Sequence, residues 1–308
     1  MSQKNVTRRD FIKRGLSAVA VTPALSYTPI ISSKLKVERI TIQVPHLPKA
    51  LVGMQIGFLT DIHLCAFLPT QLLENALSAL REAGIDLLLL GGDYIWNPRE
   101  ILRNSFPILR PEFSELNDPE LATRIYKNFI TQTITALSPK LGIHAVMGNH
   151  DHWLQPSLCK RIFADSPIKL LINQSSLLSL HGSSIEIYGC DDYLTGRPQL
   201  MKKSSSQTND TLRILLTHNP DLLPWFFHNS PIRFDLAFMG HTHGGQICPL
   251  PGVALSYNIA NRQFGEGLYS HQSGCQCYTS RGLGAVGIPL RVNCPPEVTI
   301  ITLVNGAI

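Results

Sequence analysis

The chain is short of charge. Asp, Glu, Lys and Arg make up 16 % of its 308 residues, while hydrophobic residues make up 44 %. A soluble domain usually carries about a quarter charged residues, so this balance excludes a disordered polyelectrolyte. There is no Gly-X-Y pattern and no heptad run, which removes collagen-like and coiled-coil architectures. No Cys-x-x-Cys pair exists, so a ribbon-type zinc scaffold is not expected. The seven cysteines (Cys65, Cys159, Cys190, Cys248, Cys275, Cys277 and Cys294) are odd in number and irregularly spaced, which does not make a disulfide framework. No run of roughly 18 apolar residues occurs beyond the N-terminal region, and a multi-span membrane protein is ruled out. The net charge is +5, but Lys4, Arg8, Arg9, Lys13 and Arg14 against Asp10 account for +4 of it. The remainder carries +1 and no basic stripe to neutralise a row of phosphates, so no nucleic-acid partner is expected.

Residues 1–33 form a separate unit. Thr7-Arg8-Arg9-Asp10-Phe11-Ile12-Lys13 looks like a twin-arginine export signal, followed by a short, uncharged, moderately apolar stretch from Gly15 to Tyr27. Ala24-Leu25-Ser26 is a poor cleavage site, so residues 1–33 are expected to act as an export signal or a retained membrane anchor. The twin-arginine translocation machinery is then a partner, and the cell envelope is the expected location. Residues 34–308 contain no Gly/Ser or Pro-repeat linker and read as one domain.

Within that domain five apolar segments each end in a polar cluster. Gln55–Thr60 runs into Asp61-Ile62-His63, and Ile85–Leu90 into Gly91-Gly92-Asp93. His144–Met147 runs into Gly148-Asn149-His150-Asp151, and Leu212–Leu216 into Thr217-His218-Asn219-Pro220. Asp235–Met239 runs into Gly240-His241-Thr242-His243-Gly244-Gly245-Gln246. Each segment is a strand by composition and bounding residues. Leu72, Leu73, Ala76, Leu77 and Leu80 form a helical stripe, and Gly84 supplies its stop. Strand–helix–strand alternation predicts an α/β fold with parallel pairing, in which ligands bind at the carboxyl ends of strands. Ile185–Gly189 and Thr299–Leu303 are expected to complete a second sheet.

Singly, each cluster reads equally as a turn, a strand exit, a helix cap or a core histidine. His241-x-His243 is the stronger signal, because alternate loop residues can aim two imidazoles at one centre. Together, Asp61, His63, Asp93, Asn149, His150, His218, His241 and His243 supply oxygen and nitrogen donors without thiolate, a set suited to Mn, Fe or Zn. That is too many donors for one divalent ion and enough for two, with a carboxylate as the bridge.

The ordered set Asp-x-His, Gly-Gly-Asp, Gly-Asn-His-Asp, Thr-His-Asn-Pro and Gly-His-Thr-His-Gly-Gly-Gln resembles the calcineurin-like metallophosphoesterases over roughly residues 53–304. Ser280–Gly284 and Arg291–Glu297 resemble a bacterial, envelope-associated subfamily that includes twin-arginine-exported phosphoesterases and UDP-2,3-diacylglucosamine diphosphatases of lipid A synthesis. The resemblance implies a two-sheet β-sandwich flanked by helices over residues 34–308. It also implies a binuclear centre of two divalent metal ions. Asp61, His63 and His243 would hold the first metal, and Asn149, His218 and His241 the second. Asp93 would bridge them. His150 would protonate the leaving oxygen or contact the phosphoryl group, with Asp151 orienting its ring. The implied activity is hydrolysis of a phosphate ester or diphosphate on a small-molecule, envelope or lipid-linked substrate. One alternative is the lipid A diphosphatase, which would face the cytoplasm from the inner membrane. The other is a non-catalytic scaffold with the same fold.

Several residues fall outside this pattern. An insertion is expected near Ile101 to Phe129, where apolar residues interleave with Arg103 and Arg110; it is either a loop capping the core or a contact with a lipid–water interface. Lys202–Asp210 reads as an exposed loop. His152, Asp191 and Asp192 are expected near the centre, with a solvated turn as the alternative for the two aspartates. Arg281 and Arg197 are candidates for gripping a substrate phosphate. Cys65 is either near the metals or a small buried hydrophobe.

Overall fold

Leu87 to Leu90 are all fully buried, yet they serve two different cores. Leu88 and Leu90 face one apolar cluster and Leu87 and Leu89 another, as the two-residue period of a strand requires. Each such side chain contributes roughly 1.5–3 kcal/mol by leaving water. A computed structural model describes residues 34–64, 70–95, 119–154, 156–201, 211–287 and 290–306. Residues 1–33, expected to be an export segment, Cys65, residues 101–118 of the expected insertion and residues 202–210, expected to be a loop, lie outside the described residues.

The described residues form two six-stranded sheets. The first contains β1 (Lys36–Pro45), β12 (Glu297–Gly306), β2 (Gln55–Leu59), β3 (Leu87–Leu90), β4 (Ile143–Ala145) and β5 (Lys169–Leu170), in that spatial order. The second contains β10 (Gly267–Ser270), β11 (Gln276–Thr279), β9 (Leu236–Met239), β8 (Thr211–Leu216), β7 (Ser183–Gly189) and β6 (Gln174–Leu180). Strands β2, β3 and β4 pair in parallel, as do β7, β8 and β9. The inner core lies between the sheets and is built from Ile56, Phe58, Ile187, Ile214, Leu216 and Phe238, with the Phe58 and Phe238 rings 5.4 Å apart.

Helices cover both outer faces. On the first sheet, α1 (Thr70–Ala83) buries Leu72, Leu73, Ala76, Leu77 and Leu80, the expected stripe, and ends at Gly84 with φ 64°. Beside it, α2 (Pro119–Ala136) buries Tyr126, Phe129, Ile130 and Thr133. The C-terminal part of the expected insertion is therefore a helix packed into the core. The short α3 (Asn149–Leu154) and α4 (Pro156–Ala164) follow β4. On the second sheet, α5 (Leu222–Asn229) sets Leu222, Leu223 and Phe226 against Leu215, Ala237 and Met239. Among the described residues no helix is long and apolar enough to cross a membrane.

Two sheets flanked by helices is the expected architecture, with one correction. Thr299–Leu303 belongs to the first sheet, not the second: β12 pairs antiparallel with β2 and parallel with β1 along its ten residues. Its side chains explain the placement, since Val298 and Ile300 enter the outer core and Ile301 and Leu303 the inner one. A strand apolar on both faces needs cover on both, and the edge beside β2 supplies it.

Candidate metal centre

The carboxyl ends of β2, β3 and β4 meet those of β7, β8 and β9 at one edge of the sandwich. The chain leaves those strands in a strained conformation. Asp61, His63, Asp93, His241 and His243 all have positive φ, between 46° and 72°. A non-glycine residue there costs on the order of 1 kcal/mol or more and persists only when its surroundings fix it. Backbone bonds do the fixing: Asp61 and His63 donate to the carbonyls of Gly92 and Asp93, both at 3.0 Å. Close approach also demands glycine at two places. A Cβ on Gly148 would stand 2.2 Å from Asp93 Oδ1, and one on Gly240 would stand 2.2 Å from Asp61 Oδ2.

The polar side chains converge in overlapping groups whose ligand atoms lie within 4.8 Å of one another: Asp61, His63 and His243; Asp93, His218 and His241; and His63, Asp93 and His150. His243 Nε2 is 3.4 Å from Asp61 Oδ1 and 3.1 Å from His63 Nε2. His218 Nε2 is 3.2 Å from Asp93 Oδ2 and 3.3 Å from His241 Nδ1. Asp93 Oδ2 is also 3.6 Å from His63 Nε2, so one carboxylate borders both groups. His241 and His243 do not share a centre, as their alternation suggested; the left-handed turn at each sends one ring to each group. His218 Nδ1 donates to the Gly91 carbonyl at 2.8 Å, which leaves Nε2 facing the site.

The residues present fit divalent cations. Asn149 is fully buried, and neither oxygen nor nitrogen of its amide has a hydrogen-bond partner among the described residues. An unpartnered buried amide costs roughly 1–3 kcal/mol unless a ligand satisfies it. Asp61, Asp93, Asp151 and Asp192 are each at most 1 % exposed, and Asp93 repels the other three. Burial raises Asp61 to about 6. Burial also disfavours the Asp93 carboxylate, but His218 and His150 outweigh it and hold the group well below its usual range. His218 is correspondingly raised, its own burial outweighed by Asp93. Burial lowers His63 and His243 and takes His241 to about 3, so these three rings are neutral, the form that ligates a metal.

His150 opens α3 with its backbone N–H on Asp93 Oδ1 at 2.8 Å. Its ring stands edge-on to His63 and to Trp153, both at 4.8 Å between centroids. Asp151 was expected to orient that ring. The structure uses its carboxylate to hold backbone: Oδ2 accepts from Asp93 and Gly148 N–H at 2.8 and 2.9 Å. Oδ1 accepts from Tyr94 N–H at 3.1 Å and the Tyr126 hydroxyl at 2.8 Å. It ties the exit of β3 to the exit of β4. Tyr126 was not anticipated, although Tyr126, Phe129, Ile130 and Thr133 show a helical i, i+3, i+4, i+7 pattern.

Asp191 and Asp192 are buried, not in a solvated turn. Asp191 Oδ1 lies 2.9 Å from His152 Nε2, and Asp192 Oδ2 accepts from Leu194 N–H, Thr195 N–H and Thr195 Oγ1. Arg281 Nη2 is 2.5 Å from Glu38 and 2.9 Å from Glu297. A guanidinium between two carboxylates is already matched in charge. Arg197 is exposed on the loop after Asp192, its N–H donating to Asp191 Oδ2.

The family model for calcineurin-like phosphoesterases matches residues 54–245, more than half of the chain. The protein belongs to that family. It is a metal-dependent phosphoester hydrolase of mixed α/β architecture. Among curated relatives it is 28 % identical over 311 residues to the uncharacterized metallophosphoesterase YkuE of Bacillus subtilis, covering 97 % of this chain and 98 % of the relative. It is 27 % identical over 303 residues to the phosphodiesterase YaeI of Escherichia coli, covering 97 % and 100 %. To the UDP-2,3-diacylglucosamine pyrophosphatase LpxG of Chlamydia trachomatis it is 26 % identical over 328 residues, covering 94 % and 96 %.

Proposed function

We propose that this calcineurin-like phosphoesterase is a two-metal hydrolase of a phosphate ester or diphosphate on an envelope or lipid-linked substrate. Asp61, His63 and His243 hold one divalent cation, and Asn149, His218 and His241 hold the other. Asp93 bridges them. The observation that carries this reading is the position of Asp93 Oδ2, 3.6 Å from His63 and 3.2 Å from His218. The donor set suits Mn, Fe or Zn. When bound, such a pair supplies a hydroxide nucleophile near neutral pH and offsets charge on the phosphoryl group. The chain's own residues do the rest. His150 gives its ring proton to the leaving oxygen. Asp151 positions it by holding the backbone from which Asp93 and His150 project.

The substrate class rests on a surface feature. Beyond His243 the chain forms a hairpin closed by a Leu250–Val253 bridge, with Leu250, Val253 and Leu255 exposed by 63 %, 52 % and 52 %. Ala254 packs against Gly245, and Arg262 holds the Ala254 carbonyl at 2.9 Å, so the bare tip is joined to the metal-site loop. Residues 247–265 contain no Asp or Glu. An exposed apolar tip suits contact with acyl chains at a membrane surface. Residues 1–33 serve as a twin-arginine-type export signal or membrane anchor for the domain 34–308, bringing this tip to the membrane. Similarity to LpxG favours a UDP-2,3-diacylglucosamine diphosphatase as a second reading.

Hydrolysis of p-nitrophenyl phosphate, bis-p-nitrophenyl phosphate, lipid phosphates and UDP-2,3-diacylglucosamine, with and without added Mn²⁺, tests the proposal. Metal-dependent turnover with an inactive Asp93→Asn variant supports it. Turnover of water-soluble esters alone, with no lipid-linked substrate accepted, rejects the substrate class. A fusion reporting the side of the membrane separates the exported enzyme from the cytoplasm-facing diphosphatase.

A further inference from the structure

Arg291 is 3 % exposed, and five carbonyl groups surround its guanidinium. Nε donates to Gly284 at 2.7 Å. Nη2 donates to Arg281 at 2.7 Å and Gly282 at 3.1 Å. Nη1 donates to His243 at 3.3 Å and Cys294 at 3.4 Å. A guanidinium has five N–H groups in a fixed planar fork, and five carbonyls are enough to occupy all of them. Nη2 also donates to His243 Nδ1 at 3.2 Å, so three acceptors share its two hydrogens and the fork reaches the ring of His243 as well as its carbonyl.

The carbonyls belong to segments that border the first metal group. His243 closes the loop after β9. Residues 281–284 run along the exit of β2, where Leu283 N–H donates to Thr60 at 3.1 Å and Gly284 N–H to Asp61 at 2.7 Å. A Cβ on Gly282 would stand 2.5 Å from Asp61 Cβ, so this loop backs the aspartate directly. Arg291 thus joins the segment behind Asp61 and His63, from the first sheet, to His243, from the second. Its donors, all engaged by these five carbonyls, leave nothing for Asn149, His218 or His241.

We propose that Arg291 is a positioning residue for the first metal alone, holding His243 in register with Asp61 and His63 through its five-carbonyl clamp. The inference rests on the two-metal reading and assigns one of the two ions to this residue. Lysine keeps the charge but has three donors on one nitrogen and cannot span the fork.

The test uses full-length holoenzyme reconstituted with Mn²⁺. Metal content is measured by mass spectrometry, and electron paramagnetic resonance distinguishes a coupled ion pair from an isolated ion. The wild type is expected to hold two coupled ions. Arg291→Lys is expected to hold one, with an isolated-ion spectrum, at least tenfold weaker affinity at the first site and second-site affinity within twofold of wild type. Two ions bound at wild-type affinity in the variant overturn the inference. So does equal loss at both sites with a lowered melting temperature of the metal-free chain, which marks general packing. A wild type holding fewer than two ions rejects the two-metal reading itself. If Arg291→Lys does not fold, amide exchange on wild type decides: metal is expected to slow residues 243–245 and 281–284 together by at least tenfold, an effect absent in Asp61→Asn. No slowing at 281–284 overturns the clamp.

Discussion

Asp93 and His218 face each other across the gap between the two sheets, Oδ2 to Nε2 at 3.2 Å. One is delivered by β3 of the first sheet and the other by β8 of the second. With both fully enclosed, carboxylate and imidazolium neutralise each other, which lowers the first pKa and raises the second. The centre therefore rests on a contact between the two sheets, and Asp93 Oδ2 borders both ligand groups.

Replacing that carboxylate with the isosteric amide would remove the proposed bridge and the charge that faces His218, while keeping an oxygen for the His150 N–H. Asp93→Asn is expected to lower kcat on the order of 10³-fold or more and to leave fewer than two ions bound, with far-ultraviolet circular dichroism unchanged. A variant retaining both ions and activity within tenfold of wild type would refute the bridging role.

His150 tests separately from the metals. His150→Gln is expected to lower kcat by about 10²–10⁴ on an alkyl phosphate and much less on p-nitrophenyl phosphate, whose leaving group needs no proton. Metal content should not change. Equal losses on both substrates, or loss of an ion, would instead make His150 a ligand or a phosphoryl contact.

Asp151 accepts on both oxygens from N–H and O–H donors. Asp151→Asn puts an NH₂ against donors in either amide orientation. A buried group left facing a like group costs roughly 1–3 kcal/mol. The melting temperature of the metal-free protein should fall accordingly, and activity with it; an unchanged melting temperature speaks against this arrangement.

His144 gives a pH dependence away from the centre. Burial, and then the charge of Lys169, lower it from 6.5 to about 4, with Ser176 Oγ 3.0 Å from its ring. Between those values the unfolded chain binds the proton and the folded chain does not. The stabilisation is complete above the unfolded pKa and is lost as pH falls from about 6.5 to 4, by about 3 kcal/mol in all. Unfolding of wild type and His144→Gln should differ in slope across this window; parallel curves would exclude the effect.

Arg281 should act on stability and not on substrate. Arg281→Ala removes the partner of Glu38 and Glu297, and Glu297 also accepts from the Tyr278 hydroxyl at 2.6 Å. KM is expected to stay within twofold while stability drops by about 1–3 kcal/mol. A tenfold rise in KM at unchanged stability would restore a phosphate-gripping role.

The local signals in this sequence are those that one strand and the turn after it can carry. Five apolar runs, each ending in Asp, Asn or His, mark β2, β3, β4, β8 and β9 and the polar residues at their ends, because strand period and strand exit are written in consecutive residues. The stripe from Leu72 to Leu80 marks α1 for the same reason. Three things depended on distance in the chain. β12 lies beside β2 and β1 because both of its faces are apolar, and only the packed sandwich shows which edge covers both. His241 and His243 part to different groups because the backbone at each is left-handed, a conformation that its neighbours across the gap enforce. Arg281 and Arg291 look alike on the page, yet one meets two carboxylates and the other five carbonyls. A side chain's type fixes how many hydrogen bonds it can make, and the fold alone decides which groups stand within 3 Å to receive them.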